Sequence, residues 1–377
     1  MLGFLKNLVS WLLRLVPTTD IVVFNSYPDY TDNAYAMFRY LSKNGYWVKY
    51  SFAWLVNEKS KVAFVQKEID QEGFRCESVY KMSLKGLWLL MRCRYCFYTH
   101  GILESIHIKQ HDDKMINMWH GMPIKAIGME DKHNGTVMVN QQYMLASGLI
   151  YQDIIARCFN IDKSKILPIG QPRCDLLFEK TDFFEKACIE AERYDKVGIW
   201  LPTYRFSIVK TEQRVDGTYK PGTISFMDEE MLTQLDCELA RLNQLLLIKL
   251  HPMDKSNLYD FRKFRNILII KQKDFDSQLY PLLGNCDYLL TDFSSVCIDY
   301  DLCKKPMGFV VDDLDAYKES RGFLFDDILS VLPGPILTSY DDLLQFVKNP
   351  IYKPSPIEFN AFHDNQAAKR LIECLGI

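Results

Sequence analysis

No run of this sequence stays apolar for the roughly 20 residues that a bilayer-spanning helix needs, and no small-residue cleavage site follows its apolar start. Neither a membrane span nor a secretory signal peptide is therefore expected. The phosphate loop GxxxxGK(S/T), a GxGxxG after the first strand, HExxH and GxSxG are all missing. Triphosphate hydrolysis, dinucleotide redox chemistry, zinc proteolysis and serine hydrolysis lose ground accordingly. Charge of one sign is not in excess: 45 Lys and Arg stand against 48 Asp and Glu, a net −3. Nothing global then drives the chain toward nucleic acid, and no nucleic-acid partner is expected. Eleven cysteines are scattered without a Cys/His ladder, which reads as reduced, mostly buried thiols in the cytosol. No carboxylate cluster stands out as a metal cage, so neither a tightly bound divalent ion nor another cofactor is expected.

What is present fits a soluble two-domain chain. The 377 residues are 48% hydrophobic and 25% charged, and long enough for two separate cores. Aromatic residues reach 13%, which suits carbohydrate contact or, more plainly, filled cores. The first residues read MLGFLKNLVSWLLRLV, with leucines, Phe4 and Trp11 over most of a helix and Lys6 and Arg14 on the rest. Residues 1–17 are read as an amphipathic helix lying in a membrane interface, the alternative being a helix docked on the protein.

From Ile21 onward, short apolar runs alternate with helical stretches. Strands are expected at Ile21 to Phe24, Trp47 to Leu55, Tyr95 to Tyr98, Met115 to Met118 and Ile166 to Ile169. Helices are expected at Asp32 to Leu41, Leu84 to Met91 and Gln152 to Phe159. A second series has strands at Val197 to Leu201, Leu245 to Leu250, Ile267 to Ile270, Tyr288 to Leu290 and Met307 to Val311, with helices at Asp228 to Leu242 and Asp276 to Leu283. Strands that are apolar throughout are covered on both faces, as in parallel sheets flanked by helices. The fold class is therefore α/β, with two doubly wound Rossmann-like domains facing a cleft. Glu179 to Lys196 is the expected connection.

Such sheets bind ligands beyond the carboxyl ends of their strands, which directs attention to five polar segments. Trp119-His120-Gly121-Met122-Pro123-Ile124-Lys125 would project His120, able to accept a proton from a hydroxyl near neutral pH, with Lys125 to offset phosphate charge. Lys249-Leu250-His251-Pro252 leaves His251 at a strand end. Thr291-Asp292-Phe293-Ser294-Ser295 opens a helix, Val296 to Leu302, whose free N–H groups and hydroxyls suit a diphosphate. Leu201-Pro202-Thr203-Tyr204-Arg205 offers the planar fork of Arg205 to phosphate oxygens. Arg321-Gly322-Phe323 permits close ligand approach at Gly322, beside Asp312, Asp313 and Asp315, candidates for hydroxyl contacts. Each segment alone has a structural explanation: a capped turn, a serine N-cap, a surface ion pair or a solvated acidic loop.

Taken in order, SYPDYTDNAYAMFRYL from Ser26, WHGMPIKAIG from Trp119, IGQPRCDLL from Ile169, LPTYR from Leu201, KLHP from Lys249, the long YLLTDFSSVCIDYDLCKKPMGFVVDDLDAYKESRGFLFD from Tyr288 and FHDNQAAKRLI from Phe362 resemble the CDP-glycerol glycerophosphotransferase family of teichoic-acid and capsule synthesis. The resemblance runs from about Val22 to the C-terminus. It implies a glycosyltransferase B-like architecture: an acceptor domain over 18–190, a CDP-glycerol domain over 191–360, and a helix over 361–377, starting near Asn365, that crosses back to the first domain. It puts His120 in the general-base position. His251, Ser294 and Ser295 fall at the donor diphosphate with Arg205 as helper, and Trp119, Gly121, Lys125, Thr291, Asp292, Arg321 and Gly322 line the substrates.

It further implies CDP-glycerol as donor, an undecaprenyl-diphosphate-linked saccharide or growing polymer as acceptor, and peripheral association with the inner face of the cell membrane. Met122 replaces the threonine usual before Pro123, and Asp364-Asn365 replaces a common Asp-Gly; both departures bear on acceptor detail. One catalytic module behind a short anchor is similar to enzymes that add the first glycerol phosphate to a lipid-linked disaccharide, and to capsule-type transferases. CDP-ribitol transfer, a sugar-nucleotide glycosyltransferase of the same fold and a non-catalytic membrane scaffold are the alternatives.

Overall fold

A computed structural model of the chain describes residues 16–103, 114–132, 140–203, 206–209, 212–218, 224–250, 263–270 and 278–377. The expected N-terminal amphipathic helix lies outside these residues but for its last two positions, as do Arg205 and His251. Among the described residues no helix is long and apolar enough to cross a membrane.

Two compact units divide the chain. The first holds the described residues within Met1–Met122, Thr136–Asp175 and Asn360–Ile377, the second those within Pro123–Gly135 and Leu176–Phe359. The first is built on a seven-stranded sheet: β1 (Ile21–Asn25), β2 (Ser51–Val56), β3 (Glu77–Tyr80), β4 (Tyr95–Tyr98), β5 (Lys114–Asn117), β6 (Tyr143–Leu145) and β7 (Ile166–Leu167). All its pairings are parallel, in the order β3-β2-β1-β4-β5-β6-β7. The second unit carries β8 (Lys196–Trp200), an antiparallel hairpin of β9 (Phe206–Val209) and β10 (Glu212–Val215), then β11 (Gln244–Lys249), β12 (Ile267–Ile270), β13 (Tyr288–Thr291), β14 (Met307–Val310) and β15 (Ile336–Leu337). Its six-stranded parallel sheet runs β12-β11-β8-β13-β14-β15. Relabelled from their own first strands, both sheets begin 3-2-1-4-5-6, the doubly wound order, and each reverses direction beside its first strand.

Burial explains the elements. In helix Asp32–Lys43 the spacing of buried Ala34, Met37, Phe38 and Leu41 lays one apolar stripe on the sheet. Helix Glu229–Arg241 starts at Asp228, whose carboxylate accepts from Met231 N at 2.9 Å, and buries Leu232, Leu235 and Leu239. Cys93 and Cys96 stand in CxxC spacing, but both are fully buried on the approach to and within β4, and all eleven cysteines are thiols.

Several expectations need correction. The strand foreseen at Trp47 to Leu55 starts only at Ser51, because Gly45, at φ 77°, turns Tyr46–Val48 into a 3-10 turn with Val48 exposed. β7 stops before Pro168, which has no N–H to give the ladder. The unit boundary falls after Asp175, not at 190. Residues from Leu176 pack on the second unit, where a side chain at Gly284 would collide with the Leu177 carbonyl, and Asn285 Nδ2 donates to Glu179 O at 2.7 Å. Residues 123–132 also join the second unit: Lys125 bridges Phe323, Ala126 N donates to Gly322 O at 3.0 Å, and Leu324 N donates to Ile124 O at 2.9 Å. Terminal helix Ala367–Leu375 packs in the first unit, with Ala367 N and Ala368 N each donating to the Asp175 carboxylate at 2.9 Å.

Candidate active site

In the first unit the strand order reverses between β1 and β4, and the chain leaving those strands supplies Ser26-Tyr27 and Thr99-His100. Tyr27 N donates to Thr99 Oγ1 at 3.4 Å, and Thr99 N donates to Asn25 O at 3.2 Å, closing the strand ends together. The neighbouring β5 ends in Asn117. Its side-chain oxygen accepts from Trp119 N at 2.9 Å, and the turn that follows puts Trp119 at φ 55° and Gly121 at φ 138°. A left-handed tryptophan costs about 1–2 kcal/mol, so surrounding bonds must hold it. Asn33 donates to Trp119 O at 2.9 Å and to Met118 O at 3.3 Å, while its own oxygen accepts from Arg173 N at 3.0 Å. Arg173 Nη1 donates to His120 O at 2.7 Å and to Asp32 Oδ1 at 2.9 Å, a nearly buried ion pair.

The turn thereby fixes His120. Its ring lies parallel to that of His100, centroids 4.1 Å apart at 7°, and 4.1 Å from Trp119, which packs in turn on Phe159. Protein crowds the imidazole, yet one side remains exposed. That crowding holds its pKa well below the ordinary histidine value, helped by the charges of His100 and Arg173 and opposed by a hydrogen bond to the Thr99 backbone. The neutral form of the ring is thereby favoured, and that is the form able to accept a proton. Trp119 and Gly121 shape its turn. Lys125, expected beside it, folds with the second unit, its Nζ 5.7 Å from the Tyr317 ring centroid.

In the second unit the reversal lies between β8 and β13. Asp292 joins their ends: its carboxylate accepts from Thr203 N at 3.2 Å and from the Thr203 hydroxyl. Thr291 is fully buried and donates to Leu201 O at 2.8 Å. Thr291 and Asp292 thus brace this edge. Ser294 and Ser295 follow, both partly exposed; Ser294 Oγ accepts weakly from Val296 N at 3.4 Å, and the Ser295 side chain caps nothing. The helix they open is short, Val296–Tyr300, continuing as a 3-10 turn over Asp301–Cys303, so its dipole is smaller than foreseen.

Arg321 lies 3.5 Å from buried Asp131 and 3.9 Å from buried Asp216, which it helps to neutralise. Gly322, at φ 79°, serves the bridge to Ala126. Asp313 accepts from Thr218 N at 2.8 Å and packs on Gly217, so it too is structural. Lys249 closes β11, and burial pushes its ammonium down to about 8. Among the described residues no group of three or more His, Cys, Asp or Glu is placed to hold a metal ion.

Sequence reasoning missed His100, Asp32, Asn33 and Arg173. His100 stands two positions past the apolar strand Tyr95–Tyr98, the same kind of signal that singled out His120. Asn33 and Arg173 lie in two of the family-like segments, but nothing local says that they meet across 140 positions.

The family model for CDP-glycerol:poly(glycerophosphate) glycerophosphotransferases matches residues 8–375. The chain is 27% identical to the teichoic acid poly(glycerol phosphate) polymerase of Bacillus subtilis, across 95% of this chain and 48% of that protein. It thus spans about half the length of that relative. It is 25% identical to the teichoic acid glycerol-phosphate transferase of Staphylococcus aureus, across 97% and 95%. In fold it is similar to the wall teichoic acid polymerase TagF, at a TM-score of 0.73 and 21% identity over 98% of this chain and 93% of that one. A more distant likeness is S. aureus MnaA with UDP, at 0.53 and 10% identity over 94% and 95%. With nearly the whole length matched by one family model, the chain belongs to the CDP-glycerol:poly(glycerophosphate) glycerophosphotransferase family.

Proposed function

We propose that this enzyme moves glycerol phosphate from CDP-glycerol to a hydroxyl of a lipid-linked saccharide or polyol-phosphate acceptor in teichoic-acid synthesis, releasing CMP. The acceptor oxygen attacks the phosphorus nearer glycerol, the bond from that phosphorus to the CMP oxygen breaks, and the hydroxyl proton passes to His120. Phosphoryl transfer needs alignment and charge neutralisation more than covalent help. A placed base adds about 10²–10⁴-fold. The observation that carries the reading is His120 itself: an exposed imidazole at a strand end, fixed by a turn whose carbonyls are held by Asn33 and Arg173. In the second unit Ser294 and Ser295, with His251 and Arg205, take the donor diphosphate.

The apolar, Lys6- and Arg14-bearing start of the sequence supports peripheral binding to the inner membrane face. Neutralisation in this reading comes from protein cations and hydroxyls, and a chelator leaves the rate unchanged.

The test offers purified enzyme CDP-glycerol, CDP-ribitol and UDP-sugars in turn with a lipid-linked amino-sugar acceptor, and identifies the nucleotide released. CMP from CDP-glycerol supports the proposal. Release of UDP, or a clear preference for CDP-ribitol, replaces it.

A further inference from the structure

We propose that His100 is a positioning residue for the proton acceptor, holding the His120 imidazole face to face. The inference rests on reading His120 as the base. Two planar rings 4.1 Å apart and 7° from parallel restrict each other to one orientation, and a second positive charge at that distance is strongly disfavoured.

His100 is itself tethered. Its Nδ1 lies 3.0 Å from Thr99 Oγ1, an oxygen that also accepts from Tyr27 N at 3.4 Å. The Tyr27 ring packs edge-on against His100, at 5.7 Å. His100 therefore joins the reversal point of the sheet to the turn after β5.

The charged groups around the pair favour neutrality. His100 is pushed below the ordinary histidine value by burial and by Lys81 and Arg173, against the opposing pull of Asp32. His120 meets burial, His100 and Arg173. Asp32 is engaged by Arg173, which limits its hold on either ring.

Three variants of the full-length chain test this: His100→Ala, His100→Phe and His120→Asn, each checked for wild-type melting before assay. The readouts are kcat/KM against pH and the titration of isotope-labelled His120 by NMR. In His100→Ala, water reaches the exposed ring face. The acid limb and the His120 titration should both move up toward the free-histidine value of about 6.5, with kcat down about tenfold and KM for CDP-glycerol little changed. In His100→Phe a flat partner remains without a titrating group, and most of kcat should return with the limb still low. A His100→Ala enzyme with the wild-type limb and kcat overturns the inference, as does a His100→Phe enzyme no better than the alanine variant. If His120→Asn keeps full kcat, the base reading itself falls, whatever His100 does.

Discussion

The two units wind their strands in the same order yet fill and finish them differently. In the first, rings pack on rings: Phe24 lies 5.2–5.9 Å from Phe38, Phe52, Trp54 and Phe97. In the second, aliphatic side chains dominate, with Leu232, Leu235, Leu239, Leu246, Ile248 and Ile267 in one cluster. Core filling of either kind supports the same topology, so the cores carry no chemistry. The strand ends differ more consequentially. Where the first sheet reverses, two imidazoles and an open edge follow. Where the second reverses, a carboxylate and hydroxyls are bonded inward, leaving two serines outside. In the proposed reaction the first end takes up the proton and the second holds the donor.

The sharpest way to break that contrast is to change one residue at each end. His120→Asn keeps a polar side chain but no base, and is expected to cut kcat by about 10²–10⁴-fold while KM for CDP-glycerol stays put. Asp292→Asn weakens the brace to Thr203 and should cost about 1–3 kcal/mol of stability, its effect on rate following from misplaced donor. Stopped CMP-release assays and urea unfolding separate the two. Equal kinetic losses from both would erase the division of labour.

The cores give the next largest effect. Trp54→Ala is expected to destabilise by about 3–5 kcal/mol and Leu246→Ala by about 2–5, both residues being fully buried. Amide exchange should localise each loss to its own unit. A Trp54 variant that unfolded the second unit's strands equally would show that the units do not have separate cores.

The smallest effect concerns the terminal helix. Asp175→Ala removes the acceptor for Ala367 N and Ala368 N, a loss of about 1 kcal/mol or roughly 2–4 °C in Tm. Burial pushes the Asp175 carboxyl up to about 6, against those two bonds and Arg370. A raised carboxyl binds its proton more tightly when folded, so its contribution is full below the unfolded value and fades as pH rises through about 6. Melting across that window should show the fade in the wild type and not in the variant.

Much of this was legible in the residues. Long apolar runs such as Ile21 to Phe24 and Leu245 to Leu250 became central strands, since burial on both faces leaves no other pattern. Short pieces did not announce themselves: β3, β6 and β15 are two to four residues at or near sheet edges, where few apolar positions are demanded. The aromatic surplus found its place in the first core. Site residues were legible one strand at a time. The pairing of 124–126 with 322–324 was not, because it joins segments about 200 positions apart through backbone bonds that any side chains permit. It puts Lys125 in the second unit, and there Arg321 lies beside the buried Asp131 and Asp216.

The central claim is that phosphorus, and not a glycerol carbon, is the atom attacked. Enzyme supplied with CDP-glycerol labelled at the phosphorus nearer glycerol, and with a lipid-linked saccharide, decides it. The account predicts label on the acceptor and unlabelled CMP in equal amount. Labelled CDP, with glycerol alone transferred, would contradict it.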